Sequence, residues 1–216
     1  MSALLIVGAG PGIGEAAAER FGREGWTVIL ASRSPRTLDP MVARLVGQGV
    51  DAHAVVIDAT DAEAVRNGVR AADRLAGGLT AVLYNAAKVR QQDLFSMTDA
   101  EIETDLAVNV AGGLHTIRAA TELFEDRGGT ILVTGGGLAL SPHADWASLG
   151  LGKAALRNVV EGLVPALRER NVRIGLATVA TLVAPASVEA AGVADAFWDL
   201  ANDPAAGWER TYPAAA

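Results

Sequence analysis

Short apolar runs alternate along the chain with longer segments whose apolar residues recur every three to four positions. Most of the short runs are continuous rather than alternating, which predicts strands buried on both faces of a parallel sheet. The predicted strands are Ala3–Val7, Thr27–Ala31, Ala52–Ile57, Ala81–Tyr84, Thr130–Thr134, Arg173–Thr178 and a weaker one at Trp208–Thr211.

The longer segments predict helices, because their apolar positions follow the period of an α-helix. The first begins at Gly12 and turns Ile13, Ala16, Ala17 and Phe21 inward. The others are predicted at Pro35–Val46, Asp61–Leu75, Asp99–Phe124, Trp146–Arg170 and Ser187–Ala201.

Two helix starts carry capping signals. Asp61 is a candidate N-cap, and Thr98 with Glu101 three residues later has the spacing of a capping box. Strands that alternate with helices through right-handed crossovers predict a doubly wound α/β fold of order 3-2-1-4-5-6-7. The chain has 216 residues, enough for one buried core and too few for two ordinary domains, so residues 1–216 are predicted to form one domain.

Composition narrows the class of protein. The net charge is −7 and the 18 basic residues form no run, so nucleic acid is not an expected partner. The chain has no cysteine, which excludes disulfides and thiolate metal sites, and no metal site is expected. The sequence lacks an apolar stretch of about 18 residues and starts without the features of a signal peptide, so we expect a cytoplasmic protein without membrane contacts.

A glycine-rich turn, Gly8-Ala9-Gly10-Pro11-Gly12-Ile13-Gly14, separates the first strand from the first helix. Free N–H groups and the positive end of the helix dipole at this place favour a pyrophosphate. The common spacing G-x-G-x-x-G is not met here. Instead, Gly8, Gly12 and Gly14 satisfy G-x-x-x-G-x-G.

This spacing resembles that of the short-chain dehydrogenase/reductase family, and four later landmarks extend the resemblance over nearly the whole chain. Asp58 matches the aspartate that binds the adenine amino group in the family. Asn85-Ala86-Ala87 resembles the segment N-A-G, with alanine in place of its glycine. Asn109 matches the asparagine of the long fourth helix, and Lys153 the lysine of Y-x-x-x-K.

The resemblance implies a Rossmann-type fold, a nicotinamide cofactor, a small-molecule substrate and a homodimer or homotetramer. It implies catalytic roles for Lys153 and Asn109. The cofactor-binding residues that it implies are Gly8, Gly10, Pro11, Gly12, Ile13, Gly14, Ser32, Arg33, Asp58, Ala59, Asn85, Ala86, Ala87 and Lys153.

The end of the second strand indicates which cofactor binds. A carboxylate there would accept the ribose hydroxyls of NAD, but Ser32 and Arg33 occupy this place. Since a guanidinium suits the 2′-phosphate, NADP is favoured over NAD. The alternative is that Arg33 is only a solvated loop residue.

The catalytic pattern of the family is broken. Leu149 stands where the family has its tyrosine, four residues before Lys153, and Gly136 stands at the family's serine position. Thr134 is a candidate substitute for the serine. His143 is a candidate acid next to Asp145, although a solvated histidine and a helix N-cap are the alternative. The lysine can then keep only its family role of binding the nicotinamide ribose.

The sequence therefore favours an NADP-dependent oxidoreductase with a non-standard active site and an unknown substrate. An iminium ion or an activated alkene could accept hydride without the tyrosine. A binding module without redox chemistry and a non-redox enzyme, such as an isomerase, are the alternatives. After the sixth strand the family's substrate-covering insertion is shortened. An apolar ridge is compatible either with subunit pairing or with the core: Leu149, Leu156, Val159, Val160 and Leu163.

Overall fold

Seven parallel strands form one sheet in the predicted order β3-β2-β1-β4-β5-β6-β7. The computed structural model describes residues 2–203 and 205–214. The strands are β1 Ala3–Val7, β2 Thr27–Ser32, β3 Ala52–Val56, β4 Ala81–Tyr84, β5 Gly129–Thr134, β6 Val172–Val179 and β7 Glu209–Tyr212. The α/β class and the strand order are confirmed. In five of the seven strands, one or both ends lie one residue away from the predicted position.

Burial follows the position of each strand in the sheet. Leu5 of β1 lies in register with Ile29 of β2 and Val82 of β4, and every residue of β1 is buried. The edge strand β3 instead alternates, and the side chain of Val56 is 56% exposed. The prediction that most strands are buried on both faces is therefore confirmed for the central strands, while the two edge strands, β3 and β7, are partly exposed.

Helices cover both faces of the sheet, and alternate side chains of β1 pack against the helices on opposite faces. Leu4 and Ile6 belong to the core under α1, α2 and α7, whereas Leu5 and Val7 belong to the core under α3, α5 and α6. The helices are α1 Ile13–Arg23, α2 Pro35–Gly47, α3 Ala62–Ala76, α4 Asp99–Leu106, α5 Gly112–Phe124, α6 Ala147–Glu169 and α7 Val188–Asn202.

The single helix predicted at Asp99–Phe124 is interrupted by a π-helical turn at Ala107–Ala111. Two contacts outside the helix coincide with this turn: the Tyr84 hydroxyl donates to the Val108 carbonyl, and the Asn109 side chain bonds to the backbone of a neighbouring loop. Such partners are not encoded in helical periodicity. The apolar periodicity therefore predicts one continuous helix here.

The predicted caps are confirmed at two helices. The Asp61 carboxylate accepts from the N–H groups of the first turn of α3, and Thr98 with Glu101 forms a capping box on α4. Asp145 is not an N-cap, because α6 begins at Ala147 with Trp146 in the capping position and no side-chain cap.

Most of the apolar ridge predicted on α6 belongs to the core of the same chain. Leu156 and Val160 are buried in that core, and the half-buried Val159 and Leu163 pack against it. Leu149 is buried but lies outside both core clusters. None of the helices in the described ranges combines the length and the hydropathy that crossing a bilayer requires.

Candidate functional site

A cavity of about 1020 Å³ lies at the carboxyl ends of the central strands. This is the edge of an open α/β sheet at which ligands bind. All of the residues predicted to hold a cofactor line this cavity: Gly8, Gly10, Pro11, Gly12, Ile13, Gly14, Ser32, Arg33, Asp58, Ala59, Asn85, Ala86, Ala87 and Lys153. The tertiary structure therefore brings together residues that are up to 145 positions apart, from Gly8 to Lys153.

At the start of the glycine turn, the backbone passes close to the segment that follows β4. Gly8 has φ +90°, and a Cβ placed on it would lie 2.2 Å from the backbone nitrogen of Ala86. The N–H groups of Gly8 and Ala9 donate to the carbonyl of Ala31 on β2 at 2.8 and 2.9 Å. Only glycine can occupy this position without moving the segment that follows β4.

The same turn offers room and donors for a phosphate group. A Cβ on Gly10 or Gly12 would have no protein atom within 4 Å, although both residues line the cavity. The N–H groups of Ile13 and Gly14, at the start of α1, have no acceptor within residues 2–203 and 205–214. Free donors, open space and the positive end of the helix dipole fit the pyrophosphate of a dinucleotide.

The end of the cavity near β2 and β3 holds one cation and one carboxylate. Arg33 is exposed directly after β2. The Asp58 carboxylate accepts from the Thr60 N–H and hydroxyl at 2.9 and 2.7 Å. These hydrogen bonds, and more weakly the charge of Arg33, hold the pKa of Asp58 below its ordinary value. This carboxylate is therefore ionised at neutral pH and acts as an acceptor only.

A chain of hydrogen bonds that the sequence did not predict crosses the floor of the cavity. Asn85 donates through Nδ2 to the Gly8 carbonyl at 2.9 Å and accepts at Oδ1 from the Thr134 hydroxyl at 2.8 Å. The Lys153 ammonium donates to the Thr134 carbonyl at 2.7 Å. The Thr134 hydroxyl is already bonded to Asn85. This argues against Thr134 as a substitute for the missing serine.

Lys153 reaches the cavity along the surface of Gly136. A Cβ on Gly136 would lie 3.1 to 3.4 Å from three carbons of the lysine side chain, so the glycine makes room for the aliphatic stem. Burial lowers the pKa of the Lys153 ammonium to about 8. The lysine is therefore still mainly protonated at neutral pH, with a proton that is less tightly held than that of an exposed lysine.

The two positions without a hydroxyl lie on the cavity wall, since Leu149 and Gly136 line it together with Lys153. His143 and Asp145 do not line it, and their side chains are 61% and 59% exposed. The candidate acid is thus a solvated loop histidine in this structure.

Asn109 is buried and does not line the cavity. Its side chain accepts from the N–H of Lys88 at 2.7 Å and donates to the carbonyl of the same residue at 3.0 Å. The side chain of Asn109 thereby fixes the backbone of the loop after β4. A catalytic role for this residue stays a prediction.

A buried ion pair, which the sequence analysis does not predict, lies beside the cavity. The Asp105 carboxylate is 0% exposed and accepts from Arg90 at 2.8 Å and from the Ser148 hydroxyl at 2.7 Å. Burial opposes ionisation, but the hydrogen bonds from Arg90 and Ser148 outweigh it and the pKa of Asp105 is lowered. No local pattern joins three residues on a loop and two helices, so no signal in the sequence could have found them.

Comparison with known proteins places the chain among oxidoreductases. The family described as short chain dehydrogenase matches residues 2–194. The 2,3-dihydro-2,3-dihydroxybenzoate dehydrogenase of Bacillus subtilis is 28% identical over 200 residues, which cover 92% of this chain and 73% of that protein.

Solved structures agree in fold. A short chain dehydrogenase from Mycobacterium smegmatis has a TM-score of 0.91 at 25% identity and covers 100% of this chain and 92% of its own. An actinorhodin polyketide ketoreductase with NADPH has a TM-score of 0.90 at 16% identity, covering 98% and 95%. A Burkholderia phymatum enzyme in complex with NAD has 0.79 at 23%, covering 84% and 66%. The match over residues 2–194 shows that the chain belongs to the short chain dehydrogenase family.

Proposed function

We propose that this protein is an NADP-dependent oxidoreductase with a non-standard active site. The observation that carries the proposal is that one cavity joins the phosphate cradle of Gly10 and Gly12, the guanidinium of Arg33 and the ammonium of Lys153. The glycine turn would hold the pyrophosphate, and Lys153 would bind the nicotinamide ribose.

The preference for NADP rests on Arg33. Family members are known with NADPH and with NAD, so membership alone leaves the cofactor open. In this chain the charged side chain that lines the cavity directly after β2 is a guanidinium, and the carboxylate at this end, Asp58, already accepts two hydrogen bonds from Thr60. A guanidinium pairs with a 2′-phosphate, whereas NAD needs a carboxylate for its ribose hydroxyls.

The nature of the hydride acceptor follows from the charges and the missing hydroxyls. A reduced nicotinamide dinucleotide supplies a hydride when bound. Of the charged residues that line the cavity, Arg33, Lys88 and Lys153 are cations and Asp58 is an anion. This balance disfavours an iminium cation and favours an activated alkene such as an enone, which becomes an enolate on hydride uptake. The Lys153 ammonium would stabilise that negative charge, and water in the open cavity would protonate the carbon.

The cofactor is tested by titrating the protein with NADPH and with NADH and following fluorescence. We expect tighter binding of NADPH, and an Arg33→Ala variant should lose about ten- to hundredfold of that affinity because a charge-assisted pair disappears. Arg36→Ala is the matched control, since Arg36 is exposed in the first turn of α2 and does not line the cavity. Preference for NADH, or an equal loss in the control, would overturn the assignment.

The reaction is tested by supplying NADPH with a panel of cyclic enones and with the saturated ketones of the same carbon skeleton. Oxidation of NADPH by the enones and not by the ketones supports the proposal. Turnover of simple ketones would contradict it, because a carbonyl oxygen needs a proton donor that the cavity wall at Leu149 does not carry. Tight binding of NADPH without any turnover would identify a binding module instead.

A further inference from the structure

Lys88 is a charged cavity residue to which the dinucleotide assigns no role. It follows β4 and the segment Asn85-Ala86-Ala87, lines the cavity and is exposed. Within the described residues its ammonium makes no hydrogen bond and no ion pair closer than 4 Å, unlike Lys153, which is bonded to Thr134. An ammonium without a partner at the rim of a cavity is available to a ligand.

The backbone of Lys88 is held in place although its side chain is free. Asn109 bonds both its N–H and its carbonyl, at 2.7 and 3.0 Å. Two residues on, Arg90 is anchored to the buried Asp105. The starting point of the lysine side chain is therefore fixed, which lowers the ordering cost when the ammonium binds an anion.

Two carboxylates bear on the charge of Lys88. Asp105, whose pKa this charge helps to lower, does not line the cavity and is already paired with Arg90. Asp58 is the acidic residue among those that line the cavity. It follows β3, which is three strands away from β4, the strand that precedes Lys88. The apolar side chains that line the cavity include Val89, Val108, Leu138, Leu149, Leu182 and Val183. An apolar wall with one cation at its rim is complementary to an apolar molecule that bears one negative charge.

We propose that Lys88 binds a carboxylate of the substrate, so that this enzyme acts on apolar monocarboxylates. The inference rests on the proposed function for the position of the substrate beside the dinucleotide. A single ammonium balances a single charge, whereas a phosphate dianion would need further donors. In this arrangement the carboxylate lies at the rim and the apolar body of the substrate reaches towards Leu149 and Lys153.

The probe is 3-phenylpropanoate, compared with the uncharged 3-phenylpropanamide of the same shape. Trp146 is the tryptophan among the described residues that line the cavity, so quenching of its fluorescence reports binding there. With NADPH present, we expect the carboxylate to bind about five- to tenfold more tightly than the amide, as one partly exposed charge pair allows.

Substitutions of Lys88 then identify the partner. Lys88→Gln should remove the preference for the carboxylate and Lys88→Arg should keep it. Arg168→Gln, a loss of one positive charge from the exposed end of α6, should leave it unchanged. Equal binding of acid and amide to the wild type, or an equal effect of Arg168→Gln, would overturn the proposal.

Two further outcomes separate this inference from the proposed function. If Lys88→Gln weakens NADPH binding as much as carboxylate binding, Lys88 belongs to the dinucleotide site and the inference fails while the cofactor assignment stands. If NADPH does not bind at all but the free protein still prefers 3-phenylpropanoate through Lys88, the cofactor assignment fails and the carboxylate site stands.

Discussion

At the scale of single residues, two glycines of one turn are needed for different reasons. Gly8 is required by the fold, since its φ is +90° and its Cα faces the backbone of Ala86. Gly10 is not required by protein packing, because a Cβ there would meet nothing within 4 Å. The space beside Gly10 belongs to the cavity, so a side chain at this position would compete with a ligand and not with the protein.

Alanine substitutions should separate these roles. Gly8→Ala is expected to lower the free energy of unfolding by more than about 2 kcal/mol, because the backbone at Ala86, after β4, must shift. Gly10→Ala should leave stability within about 0.5 kcal/mol of the wild type but weaken NADPH binding about tenfold or more, since the methyl group keeps the phosphate away from the backbone. Urea unfolding and NADPH titration measure the two quantities.

Gly47→Ala serves as the control, because Gly47 has open space around it and lies outside the cavity. It should change neither stability nor binding appreciably. Loss of stability in Gly10→Ala equal to that in Gly8→Ala would contradict the division of roles.

Burial of Lys153 gives a second prediction at this scale. Its pKa is about 8 in the folded protein against 10.5 as the ordinary value, so between these two pH values the unfolded chain binds more protons. The free energy of unfolding of the wild type, relative to that of Lys153→Met, should therefore rise by about 1–3 kcal/mol between pH 7.5 and 10.5. Urea unfolding of both proteins across this range measures it, and a constant difference would show that Lys153 is not buried as described.

At the scale of elements, one buried carboxylate joins three segments around the cavity. Asp105 of α4 binds Arg90 of the loop after β4 and Ser148 in the first turn of α6. That turn of α6 continues into Leu149 and Lys153, which line the cavity. The position of Lys153 is thus tied to an ion pair outside the cavity.

Removing this carboxylate should destabilise the protein more than removing an exposed one. Asp105→Ala leaves Arg90 without its buried partner and should lower the free energy of unfolding roughly three times as much as Asp195→Ala. Asp195 is the matched control, because it also pairs with an arginine, Arg20 at 2.6 Å, but is 61% exposed. Chemical denaturation of both variants tests this, and equal losses would mean that burial of Asp105 adds nothing.

At the scale of the whole molecule, the parallel sheet places the binding residues along one edge. Each strand delivers its following loop to the same side, which is why distant residues such as Gly8, Asp58 and Asn85 line one cavity. The segment after β6 contributes Leu182, whose side chain is 88% exposed, and nothing in the described chain covers it. A single domain with a shortened covering region stays a prediction.

A homodimer or homotetramer, formed through the long helices, is likewise a prediction. The buried ridge on α6 does not support it, but Leu151 on the same helix is 56% exposed and could contact another subunit. Light scattering should give two or four times the mass of the chain, and Leu151→Arg should reduce it because a charge would be buried at the contact. Leu75→Arg, on α3 with 47% exposure, should not. A monomeric wild type would contradict the expectation.

Local patterns were sufficient for the order of elements, the strand sequence in the sheet, the caps at Asp61 and Thr98 and the glycine turn. The elements, caps and glycine turn depend on the spacing of neighbouring residues, and the strand order follows from their alternation with the rule that crossovers are right-handed. The membership of Gly8, Arg33 and Asn85 in one cavity also followed from their places after strand ends, whereas Lys153, inside α6, was expected there from the resemblance to the family.

Features that depend on contacts between distant segments were decided only by tertiary packing. The π-helical turn around Asn109, the hydrogen-bond chain from Asn85 to Lys153 and the burial of Asp105 each join groups that no local spacing relates. Packing also separated His143 from the cavity and left the ammonium of Lys88 free at its rim. A side chain's chemistry is set by residue type, but its partners and burial are set by the segments that fold against it.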